Sequence, residues 1–177
     1  MFLYKKDITI ILIKKIEPIK QLKYDEKEKE SIKIDDNLTI TFYEEKVDYI
    51  EQGYYPSFEL MYKGKTLVTD KKEKHYELSF STSKAPFEVY KLRNNYLIKA
   101  YSTTGQNEWD WLFYIHEDGK LERFERDDGA LSPGSLSKIE YVTVNNKSYY
   151  LLTIIGFSES DGPEDYDYTK YYYLNAN

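Results

Sequence analysis

Two histidines, His75 and His116, and a complete absence of cysteine leave this 177-residue chain poor in the groups that metal centres and nucleophilic enzymes use. Without thiols there is no disulfide framework, no thiolate nucleophile and no cysteine-based zinc or iron–sulfur site. Two imidazoles fall short of a structural zinc set. Oxygen ligands are more plentiful: Asp161, Glu164, Asp165 and Asp167 cluster around Gly162. Their register does not follow the calcium-loop pattern of alternating ligands about a central glycine. No metal and no cofactor is expected.

Catalysis by a Ser-His-Asp arrangement needs a base held beside a nucleophile. His116 is the one histidine embedded among acids, in His116-Glu117-Asp118, but those neighbours belong to a turn, where consecutive side chains diverge. No Gly-x-Ser-x-Gly elbow accompanies them. The eight glycines are scattered, and neither Gly-x-x-x-x-Gly-Lys nor Gly-x-Gly-x-x-Gly occurs. Paired carboxylates of the glycosidase kind leave no local motif. The best pair is Glu108 and Asp110, interleaved with Trp109 and Trp111. In a strand the acids take one face and the indoles the other, so an acid pair and a sugar-stacking platform would point apart. Trp109, Trp111, Phe113 and Ile115 read instead as a core row.

The remaining constellation is a surface. Tyr166, Tyr168, Tyr171, Tyr172 and Tyr173 interleave with Asp165 and Asp167, just after the acidic stretch from Ser158 that contains Asp161 and Glu164. Tyrosine gives large rigid contact area at low entropic cost, and acids beside it steer a basic partner. The expected partner-binding residues are Asp161, Glu164, Asp165, Tyr166, Asp167, Tyr168 and Tyr171. The plainer reading of the same residues is a C-terminal strand with tyrosines on both faces. Charge distribution agrees with a basic protein partner rather than nucleic acid: residues 1–100 carry 19 basic and 17 acidic groups, whereas residues 101–177 carry 6 and 14. The resulting function is a non-enzymatic protein-binding or inhibitory module of the immunity-protein or phage-inhibitor type. The alternative is a carbohydrate-binding β-domain, with calcium held by the acidic loop.

Strands must position these residues. Leu38, Ile40 and Phe42 alternate with Thr39, Thr41 and Tyr43; Phe58, Leu60 and Tyr62 alternate with Glu59 and Met61; Tyr76, Leu78 and Phe80 alternate with Glu77 and Ser79. Period two marks a strand with one buried face. Tight turns are expected at Lys63-Gly64-Lys65, Arg93-Asn94-Asn95, His116 to Gly119 and Asn145-Asn146-Lys147, because Gly and Asn tolerate positive φ. Tyr149 to Phe157 is apolar on both faces and reads as a central strand at the middle of the core. Gly129 to Ser137 reads as a small flexible loop. Lys20 to Ser31, rich in Lys and Glu after Pro18, reads as a short helix or a charged loop.

The 17% aromatic content, with 20 Tyr against 8 Phe and 2 Trp, favours strands. A 41% hydrophobic fraction in a chain of this length is enough for a core without a staple. The fold expected is all-β: an antiparallel sandwich or partly open barrel of about eight to ten strands, in one domain over residues 1–177, with at most one short N-terminal helix. The apolar run Ile8 to Ile13 is too short for a signal-peptide core and is followed by Lys14 and Lys15 without a cleavage site. A cytoplasmic location is expected. No stretch has the length of a membrane span.

Overall fold

In a computed structural model, which describes residues 10–22, 29–45, 55–69, 87–103, 108–124, 134–158 and 166–176, the alternating runs become strands. They are β1 (Ile10–Ile16), β2 (Lys20–Leu22), β3 (Lys29–Lys33), β4 (Leu38–Glu45), β5 (Tyr55–Tyr62), β6 (Lys65–Thr69), β7 (Phe87–Leu92), β8 (Asn95–Thr103), β9 (Glu108–Ile115), β10 (Leu121–Arg123), β11 (Ser135–Val144), β12 (Lys147–Ser158) and β13 (Tyr166–Asn175). These build three antiparallel sheets, none closed into a barrel, in the manner of an open β-sandwich: β1-β11-β12-β13, β10-β9-β8-β7-β2 and β3-β4-β5-β6. The all-β class stands. Two details differ from expectation: the described residues hold thirteen strands, and both ends of the Lys20–Ser31 segment are strand. Lys20 pairs with Val89 and Leu22 with Phe87, burying Leu22. Tertiary pairing overrides the helical propensity of a Lys- and Glu-rich sequence. The alternating run at Tyr76 to Phe80 lies outside the described residues.

By backbone contacts the chain divides into two compact units, Met1–Glu17 with Gly134–Asn177, and Pro18–Pro133. The second unit contains the five-stranded sheet and the four-stranded sheet β3-β4-β5-β6, whose apolar faces meet. Leu38, Ile40 and Phe42 of β4 and Phe58, Leu60 and Tyr62 of β5 are buried, as alternation demands. Phe87 of β7 stands edge-on to both Phe42 and Phe58, at 4.9 and 5.0 Å between ring centroids, and Phe58 is 5.9 Å from Phe113 of β9. The expected core row holds for Trp111, Phe113 and Ile115. The opposite side of β9 is buried as well, through Asp110, Leu112 and Tyr114.

In the other unit β12 is an inner strand between β11 and β13. Leu151, Leu152, Thr153 and Ile154 are buried, covering both of its faces, whereas Ile155 is exposed. The main hydrophobic cluster, however, belongs to the sandwich of the second unit, so β12 is central to its sheet and not to that cluster.

Turn chemistry follows the residues. Asn145 and Asn146 have φ of 48° and 61°, and Lys63 and Gly64 have 49° and 77°. Positive φ at both central positions matches hairpin turns to the right-handed strand twist. The loop expected at Gly129 to Ser137 ends early, because Ser135 already pairs with Ile155 in β11. Gly134, at φ 115°, lies where a Cβ would come within 2.5 Å of the Ile155 carbonyl oxygen. A Gly134→Ala chain is therefore expected to lose more than about 1 kcal/mol, read as a lower midpoint in urea; an unchanged midpoint would contradict this backbone geometry.

Candidate functional site

Side chains alternate along a strand, and in β12–β13 this sorts the tyrosines onto two faces. One face carries Tyr149, Leu151, Thr153 and Ile155 from β12, with Asn175, Tyr173, Tyr171 and Thr169 directly opposite them on β13. Tyr171 is 59% exposed, Tyr173 47% and Ile155 45%. Tyr149 and Tyr173 meet edge to face at 5.9 Å between centroids, which orients Tyr173 while leaving much of it open to solvent. Beneath Tyr171, its register partner Thr153 has a buried hydroxyl with no hydrogen-bond partner among the described residues. The charged pair Lys138–Glu140, at 2.9 Å, lies on β11 alongside β12. The result is an aromatic and aliphatic face, wet and adhesive at once.

Tyr168 falls on the other face. It stands opposite Gly156, so close that a Cβ there would lie 2.1 Å from the ring, and the Lys170 ammonium sits 5.4 Å from the ring centroid. Of the expected partner-binding residues, Tyr168 and Tyr171 are thus on β13 but point to opposite sides. Tyr166 and Asp167 form the start of the same strand, paired with Ser158 and Phe157. Asp161, Glu164 and Asp165 lie outside the described residues, as does the calcium-like cluster they belong to.

Two polar networks escaped sequence reasoning, both in the unit Pro18–Pro133. At one end of its sandwich, Asp35 in the turn between β3 and β4 accepts hydrogen bonds from the amides of Asn37 and Leu38, at 2.9 and 3.1 Å. Its other oxygen accepts from the Tyr96 hydroxyl and from Lys91 Nζ, the latter at 3.0 Å. Burial alone would raise the Asp35 pKa, but these donors outweigh it and hold the carboxyl far below the usual carboxylate range. Burial, reinforced by the bond to Asp35, raises the Tyr96 hydroxyl; the same carboxylate, followed by Tyr96, raises Lys91. Around this core the turns are tied together: the Tyr62 hydroxyl and Lys63 Nζ both donate to the Glu117 carbonyl, at 3.1 and 2.8 Å, and the Glu117 amide donates to Asn95 Oδ1 at 2.8 Å. The bonds from Tyr96 and Lys91 to Asp35, and from Tyr62 and Lys63 to Glu117, join residues of the two sheets, so the network is a clamp between them.

The second network interrupts the buried outer side of the five-stranded sheet. Lys99 of β8 lies 3.3 Å from Glu88 of β7 and 3.7 Å from Asp110 of β9, and the Tyr90 hydroxyl donates to Glu88 at 2.6 Å. Asp110 is 2% exposed. The carboxylate weighed as half of a catalytic pair is thus enclosed and faces an ammonium, the satisfied arrangement that a buried charge requires. The polar residues at the centres of Phe87-Glu88-Val89, Ile98-Lys99-Ala100 and Trp109-Asp110-Trp111 were the available signal.

His116 is 4.7 Å from the Tyr114 ring and its Nε2 lies 3.2 Å from Glu122 Oε1. Glu122 is held below its ordinary value by Lys120 first and His116 second. No group of three or more His, Asp or Glu side chains placed to hold a metal ion occurs among the described residues. No helix among them is long and apolar enough to cross a membrane. The chain matches no family model, no curated protein and no solved structure.

Proposed function

We propose that this chain is a non-enzymatic protein-binding module that captures a basic protein, in the manner of an immunity protein or inhibitor, through the tyrosine face of β12–β13. The observation that carries this reading is the pair Tyr171 and Tyr173, exposed side by side on an open sheet face and backed by Ile155. Tyrosine is enriched at the energetic centre of interfaces, where a few residues hold most of the affinity. The acids from Glu159 to Asp165 precede this strand in the chain and Asp167 lies at its start, and together they supply long-range attraction for a cationic partner.

The test is capture with matched baits. Tyr171→Ser with Tyr173→Ser should weaken retention of the partner by about 30-fold or more, the loss of a hot spot of about 2 kcal/mol. Asp165→Lys with Asp167→Lys should slow association and reduce its salt dependence while changing dissociation little. Equal retention by the tyrosine variant would refute the surface; unchanged association by the aspartate variant would refute the steering.

A second reading keeps the face and changes the ligand. Tyr171 and Tyr173, two positions apart on a strand, are separated by about 7 Å, a spacing on which successive sugar rings could stack. Retention of a glycan and of no protein would replace the first reading with this one.

A further inference from the structure

The phase of the β12–β13 ladder decides where the backbone of the last strand points. The Ala176 amide donates to the Ser148 carbonyl at 3.1 Å, and the register of β12 with β13 sets these two residues directly opposite each other. Opposed residues in an antiparallel pair alternate between exchanging both bonds and exchanging none. Leu174, Tyr172, Lys170 and Tyr168 therefore bond to β12, whereas Tyr173, Tyr171 and Thr169 turn their N–H and C=O groups the other way. Because β13 ends the order of its sheet, those groups line an open edge and meet no backbone partner among the described residues. The edge lacks the devices that ordinarily blunt one. Its register runs from Tyr166 to Asn175 without a bulge, and the strand contains no proline. The other end of the same sheet differs, since β1 is broken by a register shift between Leu12 and Lys14. Lys170, the lysine within β13, lies toward the opposite face, its ammonium 5.4 Å from the centroid of the Tyr168 ring.

We infer that β13 engages its protein partner by adding an extended segment of that partner to this edge as a further strand. The inference rests on the reading of β12–β13 as a protein-binding face and specifies how that face is used. N–H and C=O groups that recur at every second residue along an edge are matched by the backbone of another strand. The residues that offer this backbone also offer the exposed rings, because alternation gives Thr169, Tyr171 and Tyr173 a common face as well as a common edge. A partner residue paired with Tyr171 or Tyr173 stands beside the ring, where β-branched and aromatic side chains pack best. The strand begins where the acidic stretch ends, with Asp167 in its second position. The segment therefore carries Lys or Arg where it reaches that end. From Thr169 to Tyr173 the edge spans about 13 Å, the length of about five residues of an added strand.

The probe is the end-blocked peptide Arg-Thr-Val-Thr-Val-Thr-Arg, basic and β-branched, beside the same peptide N-methylated at its central amides, which keeps the side chains and cannot pair. In hydrogen exchange followed by NMR, the free chain should show slow amides at Lys170 and Tyr172 and fast ones at Thr169, Tyr171 and Tyr173. At about ten times its Kd the peptide should slow those fast amides by about tenfold. The N-methylated peptide should bind at least about tenfold more weakly. Thr169→Pro removes an edge N–H and no bond to β12. It should keep the far-UV spectrum, lose the peptide, and lose the captured protein as the tyrosine double variant does. Equal binding of the two peptides, or no added protection at Thr169, Tyr171 and Tyr173, would overturn the edge pairing whatever the capture shows. Full retention of the captured protein by a folded Thr169→Pro chain, with loss in Tyr171→Ser with Tyr173→Ser, would keep the tyrosine face and overturn the edge.

Discussion

Phe58→Ala is expected to destabilise the chain by about 3–5 kcal/mol. The ring is fully buried and stands edge-on to Phe87 and Phe113, so it joins β5 to both β7 and β9 across the sandwich. Truncation removes the transfer term and leaves a cavity bounded by residues that belong to two hydrogen-bonded sheets, which cannot close on it freely. Against a typical total of about 5–15 kcal/mol, this is about a fifth or more of the stability. It should appear as a fall of about 10 °C in the melting temperature. Phe58→Leu, which keeps most of the volume, should recover more than half of the loss. A fall of less than about 3 °C for the alanine variant would mean that the two sheets do not meet through this ring.

Asp35→Ala is expected to cost about 3 kcal/mol, by a different route. It removes the acceptor for two turn amides, for Tyr96 and for Lys91, and leaves the Tyr96 hydroxyl with only the ammonium beside it. The pH dependence is specific. The folded-state pKa of Asp35 is depressed, so its contribution is present in full above the unfolded value of about 4 and is lost as pH falls below it. Lys91 is raised; its contribution is complete below about pH 10 and is lost only as pH rises past that. The difference in urea midpoint between wild type and Asp35→Ala should therefore be flat from about pH 5 to 9 and fall progressively below about pH 4, being clearly smaller at pH 2 than at pH 6. A difference that persists undiminished at pH 2 would show that the clamp acts by shape rather than by the carboxylate charge.

These two residues also show what the sequence could and could not reveal. Phe58 was legible because alternation with Glu59 and Met61 announces its face within a few residues. The turns at Lys63-Gly64 and Asn145-Asn146 were legible for the same local reason: they need positive φ, which Gly and Asn accept. Asp35 was not, because Tyr96 lies 61 positions away and nothing in Asp35-Asp36-Asn37 distinguishes a clamp from an ordinary turn. β2 was hidden under a helix-forming composition and is a strand only because β7 offers its edge. The run containing β1 invites comparison with an export signal, and its role as a sheet edge depends on pairing with β11 more than 120 residues later. For the candidate site, the tyrosines of the last strand stand out in the sequence as a group. Their division between two faces follows from register with β12, which fixes Tyr171 and Tyr173 on the open side and Tyr168 over Gly156.

The tyrosine face is tested most directly by placing a photo-crosslinking phenylalanine analogue at position 171 and, in a separate chain, at position 36, where Asp36 is exposed among the turns of the clamp. Exposed to the natural milieu of the protein and irradiated, position 171 should give a discrete adduct with a basic protein, lost on adding the Tyr173→Ser change, while position 36 gives none. An adduct from position 36 alone, or no protein adduct from position 171, would contradict capture through this face.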